Sequence, residues 1–474
     1  MAYFSKPKKT INMKKHFLFP LLVIAIASCT SKKPQVTIIE GSIKNLNSEY
    51  ALATSKGITD SIKINSDGTF SFTTEIAMPH YYTIRAGRVR QTVFLTPGKS
   101  TFISFDIEQP DNAPTFEGEN SELNKAIIQN NQTFGKLTDD FYTLFGLSKH
   151  EFTTKLDSVK SVINEQTKPF EAKNKHFAQM EMARADYRLK ELLFNYPNYH
   201  SRITNTEYEP NDDDYSFMAE VDLNNISHIS INEYTSLVFN HLQNQYWKII
   251  SDDKNKGISE FEQNLMFYDL VDSLIENTTL RDLYKHNQTQ ETVKWASFEV
   301  AKNIGNHFST VATANEYKQS VENALAKRML LAPGQPAPEF TLNDINGESH
   351  SLSNFKGKLV YIDFWATWCS PCRAQIPHLK KMKDTYKGKP IVFIAISLDD
   401  DKNAWEKMVN DEQLGGVQLH ADRAWLSDVA KQYQIFGVPT FVLVDAEGKI
   451  IEYPAPRPSD EATPLLIDKY LKQL

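Results

Sequence analysis

Cysteine is scarce in this chain: 474 residues carry three, Cys29, Cys369 and Cys372. So small a number excludes a disulfide-stapled secreted domain, whose cysteines are many and dispersed. A zinc ribbon would need a second Cys or His pair. His378, six residues past Cys372, is the nearest candidate ligand and no fourth is evident, so no metal is expected. Long basic runs are missing too, and with a formal net charge of −7 no nucleic-acid partner is expected. The N-terminal apolar run, Phe17 to Ala27, is short. At about 1.5 Å per residue it covers roughly half of a bilayer's hydrocarbon core, which excludes a membrane span.

What stands around that run is informative. Lys14, Lys15 and His16 precede it and Ser28-Cys29 follows it, the order of an export signal with a basic start and a short apolar core. Met13 is a plausible true start. Ile26-Ala27-Ser28-Cys29 resembles a bacterial lipobox. The resemblance implies cleavage before Cys29 and lipid on its sulfur and new amino group, several acyl chains together giving a stable anchor. The competing reading makes Cys29 merely a small residue at an ordinary cleavage site. Residues 1–29 are thus expected to be a signal peptide and 30–35 a polar tether. No acidic residue follows Cys29 directly, so a periplasm-facing membrane anchor is favoured over display on the cell surface.

Length suggests about three domains. Residues 36–120 hold short β-prone runs between turn signals, among them Val36–Ile39, Thr69–Phe72, Gln91–Leu95 and Thr101–Phe105. Asn65-Ser66-Asp67-Gly68 predicts a hairpin, and the whole predicts a small antiparallel β-sandwich. His80 and Arg85 read as sheet-face residues rather than ligands. Residues 121–332 switch to helical period, with segments at Phe170–Phe194 (broken at Tyr196-Pro197), Ile231–Ile250, Phe261–Ile275, Val293–Ile304 and Tyr317–Met329. Their aromatic stripes read as core and not as a cofactor box, and no cofactor is expected. Glu209 to Asp214 has the acidity of a Ca²⁺ loop but lacks the Gly and distal Glu, so a solvated loop is expected. Ala332 to Pro338, rich in proline, ends the helical region.

Chemistry concentrates in residues 333–474. The apolar run Leu359–Phe364 reads as a buried strand that delivers Cys369-Ser370-Pro371-Cys372 to a helix start. A helix N-terminus offers unpaired N–H groups and partial positive charge, which favour thiolate over thiol. A second thiol one turn on can then resolve a mixed disulfide formed by the first. Pro371 just inside the helix forfeits no N–H the helix needs. Further strands are expected at Ile391–Ser397 and Phe441–Val444, with a helix at Ala462–Leu471; Gln413–Asp428 reads as an inserted surface loop.

This order is similar to the thioredoxin fold, and Phe364-Trp365-Ala366-Thr367-Trp368-Cys369-Ser370-Pro371-Cys372 with Gly437-Val438-Pro439-Thr440 resembles the TlpA/ResA-like thiol–disulfide oxidoreductases of the bacterial envelope. The β segment resembles the all-β domain of unknown function that often precedes such modules in lipoproteins of the Bacteroidetes type. The resemblance implies a multidomain chain with an α/β thioredoxin-like fold at its C-terminus. It implies that Cys369 is an exposed nucleophile and Cys372 a buried resolving thiol. It also implies a cis Pro439 facing them, Val438 pairing with an extended substrate, Trp368 at the rim, and Asp363 as proton acceptor for Cys372. The chain departs from the ResA type at Gln375, where those proteins carry glutamate; an amide cannot shuttle a proton, leaving Asp363 that role alone. The implied partners are protein thiols and disulfides of the envelope and a membrane electron donor, with reduction the favoured direction. Two other readings stay open. One is a non-catalytic binding or assembly lipoprotein on a vestigial scaffold. The other, a peroxiredoxin-like peroxidase, needs Thr or Ser three residues before its cysteine, where this chain has Ala366 and Cys369.

Overall fold

A computed structural model describes residues 33–46, 48–206 and 210–474. The expected signal peptide, the start of the tether and Cys29 lie outside these residues, as does Glu209.

The first unit has eight strands: β1 Gln35–Lys44, β2 Tyr50–Ser55, β3 Ile58–Lys63, β4 Thr69–Ile76, β5 His80–Ala86, β6 Val89–Leu95, β7 Ser100–Asp106 and β8 Thr115–Gly118. They form two four-stranded sheets, ordered β4-β1-β7-β8 and β3-β2-β5-β6. Alternate residues such as Ile39, Ile43, Ile84, Val93 and Ile103 face inward to make the sandwich core. Two expectations are corrected. The sheets are not wholly antiparallel, because β1 and β7 run parallel, Ile38 opposite Ser100. The chain visits the second sheet between them, and that long crossover is what a parallel pair requires. Asn65–Gly68 is a turn, yet it joins β3 and β4 of different sheets and so makes a corner, not a hairpin. Gly68 has φ +82°, and a Cβ there would lie 2.8 Å from the Ile43 carbonyl oxygen, so only glycine fits.

Among the described residues ten α-helices follow: α1 Ser121–Thr138, α2 Phe141–Gly146, α3 Lys149–Thr167, α4 Pro169–Lys173, α5 Lys175–Thr204, α6 Asn232–Ile250, α7 Glu260–Leu274, α8 Thr278–Trp295, α9 Phe298–Val311 and α10 Asn315–Met329. Capping boxes at Ser148/Glu151 and Ser259/Glu262 start α3 and α7. The expected break at Pro197 does not occur: α5 runs through it. A mid-helix proline costs about 3 kcal/mol. Here Tyr196 is buried, donates to the Leu147 carbonyl at 2.8 Å and packs 4.5 Å from the Phe152 ring, contacts large enough to offset that cost. Conversely, Val293–Ile304 is not one helix, because Ser297 caps a new start and α8 ends on Trp295. Asp214, in the segment with Ca²⁺-loop acidity, is tied at 2.5 Å to Lys149 and accepts from the Asn211 amide.

The helices close over one side of the sandwich, with Tyr81 and Phe94 sharing their core. Asn124 accepts from the Phe94 amide at 2.7 Å and donates to its carbonyl at 3.1 Å, covering the free edge of β6. Beside it a buried ion pair on α5 is joined to the sandwich through Tyr81. Glu181 accepts from Tyr81 at 2.7 Å, from Asn130 at 3.0 Å and from Arg184 at 2.6 and 2.9 Å. Arg184 also holds Glu233 at 2.9 Å. Glu181→Ala would leave a buried guanidinium with half its partners. A loss of about 3–5 kcal/mol in urea unfolding is expected, against under about 1 kcal/mol for an exposed pair such as Lys125–Glu122.

The third unit comprises β9 Thr341–Asp344, β10 Ser349–Ser351, β11 Leu359–Trp365, α11 Ser370–Thr385, β12 Ile391–Ser397, α12 Lys402–Asp411, β13 Val417–His420, α13 Asp428–Gln432, β14 Thr440–Val444, β15 Ile450–Glu452 and α14 Ala462–Leu471. Its sheet runs β10-β9-β13-β12-β11-β14-β15, with β11 parallel to β12 and antiparallel to β14. Helices cover both faces, giving the α/β thioredoxin-like fold. Gln413–Asp428 is not a loop insertion: it carries β13, paired with β12 inside the sheet. Gln418 and His420 disguise the strand, yet both are buried and bonded, to the Gly415 and Asp399 carbonyls. The proline-rich boundary ends the helical region as expected and is pinned to the third unit, Gly334 and Ala337 donating to the Ile450 and Gly448 carbonyls.

Candidate functional site

Seven consecutive buried residues, Leu359–Trp365, suit β11 to its interior place in the sheet, between β12 and β14. Its C-terminal end turns through Ala366–Trp368 into α11. Asp399 fixes that turn, accepting from the Thr367 amide at 3.0 and 3.1 Å, from the Thr367 hydroxyl at 2.7 Å and from Ser397 at 2.7 Å. Sequence reasoning missed Asp399; an acidic Leu-Asp-Asp-Asp run after a strand carries no signal distinguishing it from a surface loop.

Cys369 is the N-cap of α11, with extended backbone (φ −82°, ψ 99°), and its Sγ accepts from the Cys372 amide at 3.1 Å. The two sulfurs form a disulfide. Each cysteine is only 4 % exposed, which corrects the expectation of an exposed Cys369. Trp365, Ala366, Ala395, Trp405 and Val409 pack with the pair, and Val438 covers it from β14's side. The Val438 carbonyl oxygen is 3.6 Å from Cys369 Sγ, and the Val438–Pro439 peptide is cis. Trp368, by contrast, is 62 % exposed beside the pair, with its ring 6.5 Å from Trp425. The end of β11 thus gathers Cys369, Cys372, Trp368, Val438 and Pro439 at one point.

Asp363 lies deeper on β11, opposite Ala395 and Phe441. Its neighbours on both sides are paired strands, so it is no edge residue. Burial pushes its pKa up to about 7, opposed by the charge of Lys383. A cavity of about 20 Å³ lies against Asp363, Trp365, Cys372, Lys383 and Gln418, enough for one water. Three buried polar atoms of these residues have no protein partner: Asp363 Oδ1, Trp365 Nε1 and Gln418 Oε1. Two acceptors and a donor facing one small space suit a proton-exchanging position beside Cys372. Gln375, the departure from the ResA pattern, accepts from the Ser459 amide at 3.0 Å and so fastens the C-terminal segment. For metals, Asp344, Glu348 and His350 bring ligand atoms within 4.8 Å of one another at the β9–β10 hairpin. His350 is already paired to Asp344 at 3.3 Å, and none of the buried unpartnered atoms belongs to them.

Residues 333–453 match the AhpC/TSA family, and residues 37–127 match a domain of unknown function, DUF4369. The thiol-disulfide oxidoreductase ResA of Bacillus thuringiensis subsp. konkukian is 31% identical over 141 residues, which is 30% of this chain and 78% of that protein. ResA of Bacillus subtilis is 30% identical over 135 residues, 28% of this chain and 73% of that protein. The chain belongs to the ResA-type thiol–disulfide oxidoreductases. Among solved structures, the thioredoxin domain of a thiol-disulfide oxidoreductase from Bacteroides vulgatus has 34% identity and a TM-score of 0.28, covering 30% of this chain and 99% of that one. A thiol-disulfide oxidoreductase from Bacteroides fragilis has 32% identity and a TM-score of 0.26, covering 29% and 98%. Membership makes this protein an enzyme of thiol–disulfide exchange. Its family segment is the third unit; the sandwich and the ten helices are additions to what the ResA proteins share with it.

Proposed function

We propose that this oxidoreductase acts through Cys369 and Cys372 as a reductase of disulfides in envelope proteins, anchored to a periplasm-facing membrane by lipid on Cys29. The observation that carries the reading is Cys369 Sγ accepting the Cys372 amide at the N-terminus of α11, beside the Val438 carbonyl. The same N–H and helix-end charge favour the thiolate once the pair is reduced. Cys369 thiolate attacks one sulfur of a client disulfide; a mixed disulfide forms and the client's other sulfur leaves as thiolate. Asp363 takes the Cys372 proton, and Cys372 attacks Cys369 Sγ, releasing the client's second thiolate. The product is the Cys369–Cys372 disulfide present in this structure. Two electrons and two protons from a membrane dithiol donor restore it. Val438 and Pro439 form the ledge for the client backbone, and Trp368 its exposed rim. No helix among the described residues is long and apolar enough to cross a membrane.

The test is insulin reduction by the purified chain with a dithiol donor. Turnover that Cys369→Ser removes is the expected result. Turnover surviving that change would overturn the nucleophile, and inertness with every donor would favour the binding lipoprotein.

A further inference from the structure

The ledge beside the cysteines is not built by the redox unit alone. Its approach segment, Gln434 to Gly437, is clamped by the helical region. Gln434 donates to the Lys327 carbonyl at 2.7 Å and accepts at its own carbonyl from the Tyr453 hydroxyl at 3.0 Å. Arg328 of α10 lies 4.4 Å over the Tyr453 ring and donates to the carbonyls of Ala296, at 3.0 Å, and Tyr453. This clamp fixes the end of α8 against the ledge. Trp295, the last residue of α8, covers Gly437: a Cβ built there would stand 2.8 Å from the indole Cη2, so a side chain at 437 would push the ring aside. A hydrogen bond of 3.1 Å from Trp295 Nε1 to Glu291 holds the ring.

Despite this contact, Trp295 is 46 % exposed and Phe436 56 %. Both face a cleft of about 770 Å³ where the sandwich, the helices and the redox unit meet. Large aromatics left open beside a reactive centre are the usual anchors of an interface. The occupant follows from continuity with the cysteines. Gly437 is one residue from Val438, whose carbonyl is 3.6 Å from Cys369 Sγ. An extended segment advances about 3.4 Å per residue, so residues some two or three places from a client's cysteine would reach Trp295. A small disulfide has no such residues. Charge selects the occupant only weakly, because Arg85, Lys294, Lys327 and Arg328 stand against Asp60, Glu291 and Glu316 around the cleft.

We propose that Trp295, supplied by the helical region, is a specificity-determining residue of the exchange site, forming with Phe436 an apolar wall for the extended polypeptide segment that flanks a client's disulfide. This rests on the exchange chemistry proposed above. One task of the helical region is then to give the redox unit a preference for protein disulfides over small ones.

The full chain and its Trp295→Ala, Trp295→Phe and Phe436→Ala variants are compared on insulin and on bis(2-hydroxyethyl) disulfide. Trp295→Ala is expected to raise KM for insulin about tenfold, the loss of one interface aromatic, while the small disulfide reacts within about twofold of the unaltered rate. Phenylalanine at 295 restores most of the difference, and Phe436→Ala reproduces it. Equal losses on both substrates would overturn the proposal, since Trp295 would then only brace the ledge. An unchanged KM for insulin would overturn it as well. Inertness of the unaltered chain toward both substrates would instead overturn the exchange chemistry, a result separable from the first two.

Discussion

Cys369→Ser is expected to abolish disulfide exchange, lowering turnover by about a thousandfold or more. A serine hydroxyl at the N-cap of α11 can still accept the Cys372 amide, so the fold should survive the change. It cannot ionise near neutral pH or bond reversibly to sulfur, so the chemistry should not. Cys372→Ser has a different signature. Cys369 keeps its place at the helix end and attacks once, but nothing releases the product. A stoichiometric mixed disulfide between Cys369 and the client should accumulate, visible as a mass increase that a dithiol reverses. Trapping in the Cys369→Ser variant and inertness of Cys372→Ser would reverse the order of the two thiols. Applied in the envelope, the Cys372→Ser trap would also identify clients.

Asp363→Asn should have the second largest effect, and one that depends on pH. In the folded chain Asp363 titrates near pH 7, against about 3.9 for an ordinary aspartate, with burial the main cause. Between those values the folded protein holds a proton that the unfolded chain has lost. Stability is therefore fully present below about pH 4 and falls as pH rises through 7, by on the order of 4 kcal/mol in all. Asparagine removes this slope. The variant should resist urea better than the unaltered chain at pH 8, with the gap closing toward pH 4. The groups facing Asp363 are Lys383 and Lys380 of α11, Cys372 at that helix's start, and Tyr361 on its own strand. Lys383 is the main counter-charge, so Lys383→Met should raise the Asp363 pKa further and extend the fall in stability to higher pH. The gain in stability should come with a slower resolving step at neutral pH, about a hundredfold, because Cys372 loses its proton acceptor. Denaturation curves at pH 4 and 8, beside the rate at which a mixed disulfide clears, check both halves. A variant no more stable at pH 8, or with unaltered clearance, would contradict them.

Local sequence announced the elements that carry strong patterns. Leu359–Phe364 is apolar but for Asp363 and became an interior strand of the sheet. What misled was context. Pro197 reads as a stop, and Tyr196's packing overrode it. Val417–His420 reads as loop because two of its four residues are polar; the bond between His420 and the Asp399 carbonyl exists only once β12 and the Asp399 turn are beside the segment. The parallel pairing of β1 with β7 depends on the route between them, which no window of residues contains.

The site divides along the same line. The spacing of Cys369 and Cys372 before a helical run, and Asp363 within an apolar strand, could be read in one dimension because each acts through neighbours in the chain. Sequence by itself thus supplied the parts of the proposed chemistry: two sulfurs at a helix start, with an acid in the apolar strand before them. Tertiary structure alone decided what stands around them. Val438 meets Cys369 across sixty-nine residues and Trp295 meets Gly437 from another unit, and such contacts arise only when packing closes the chain on itself.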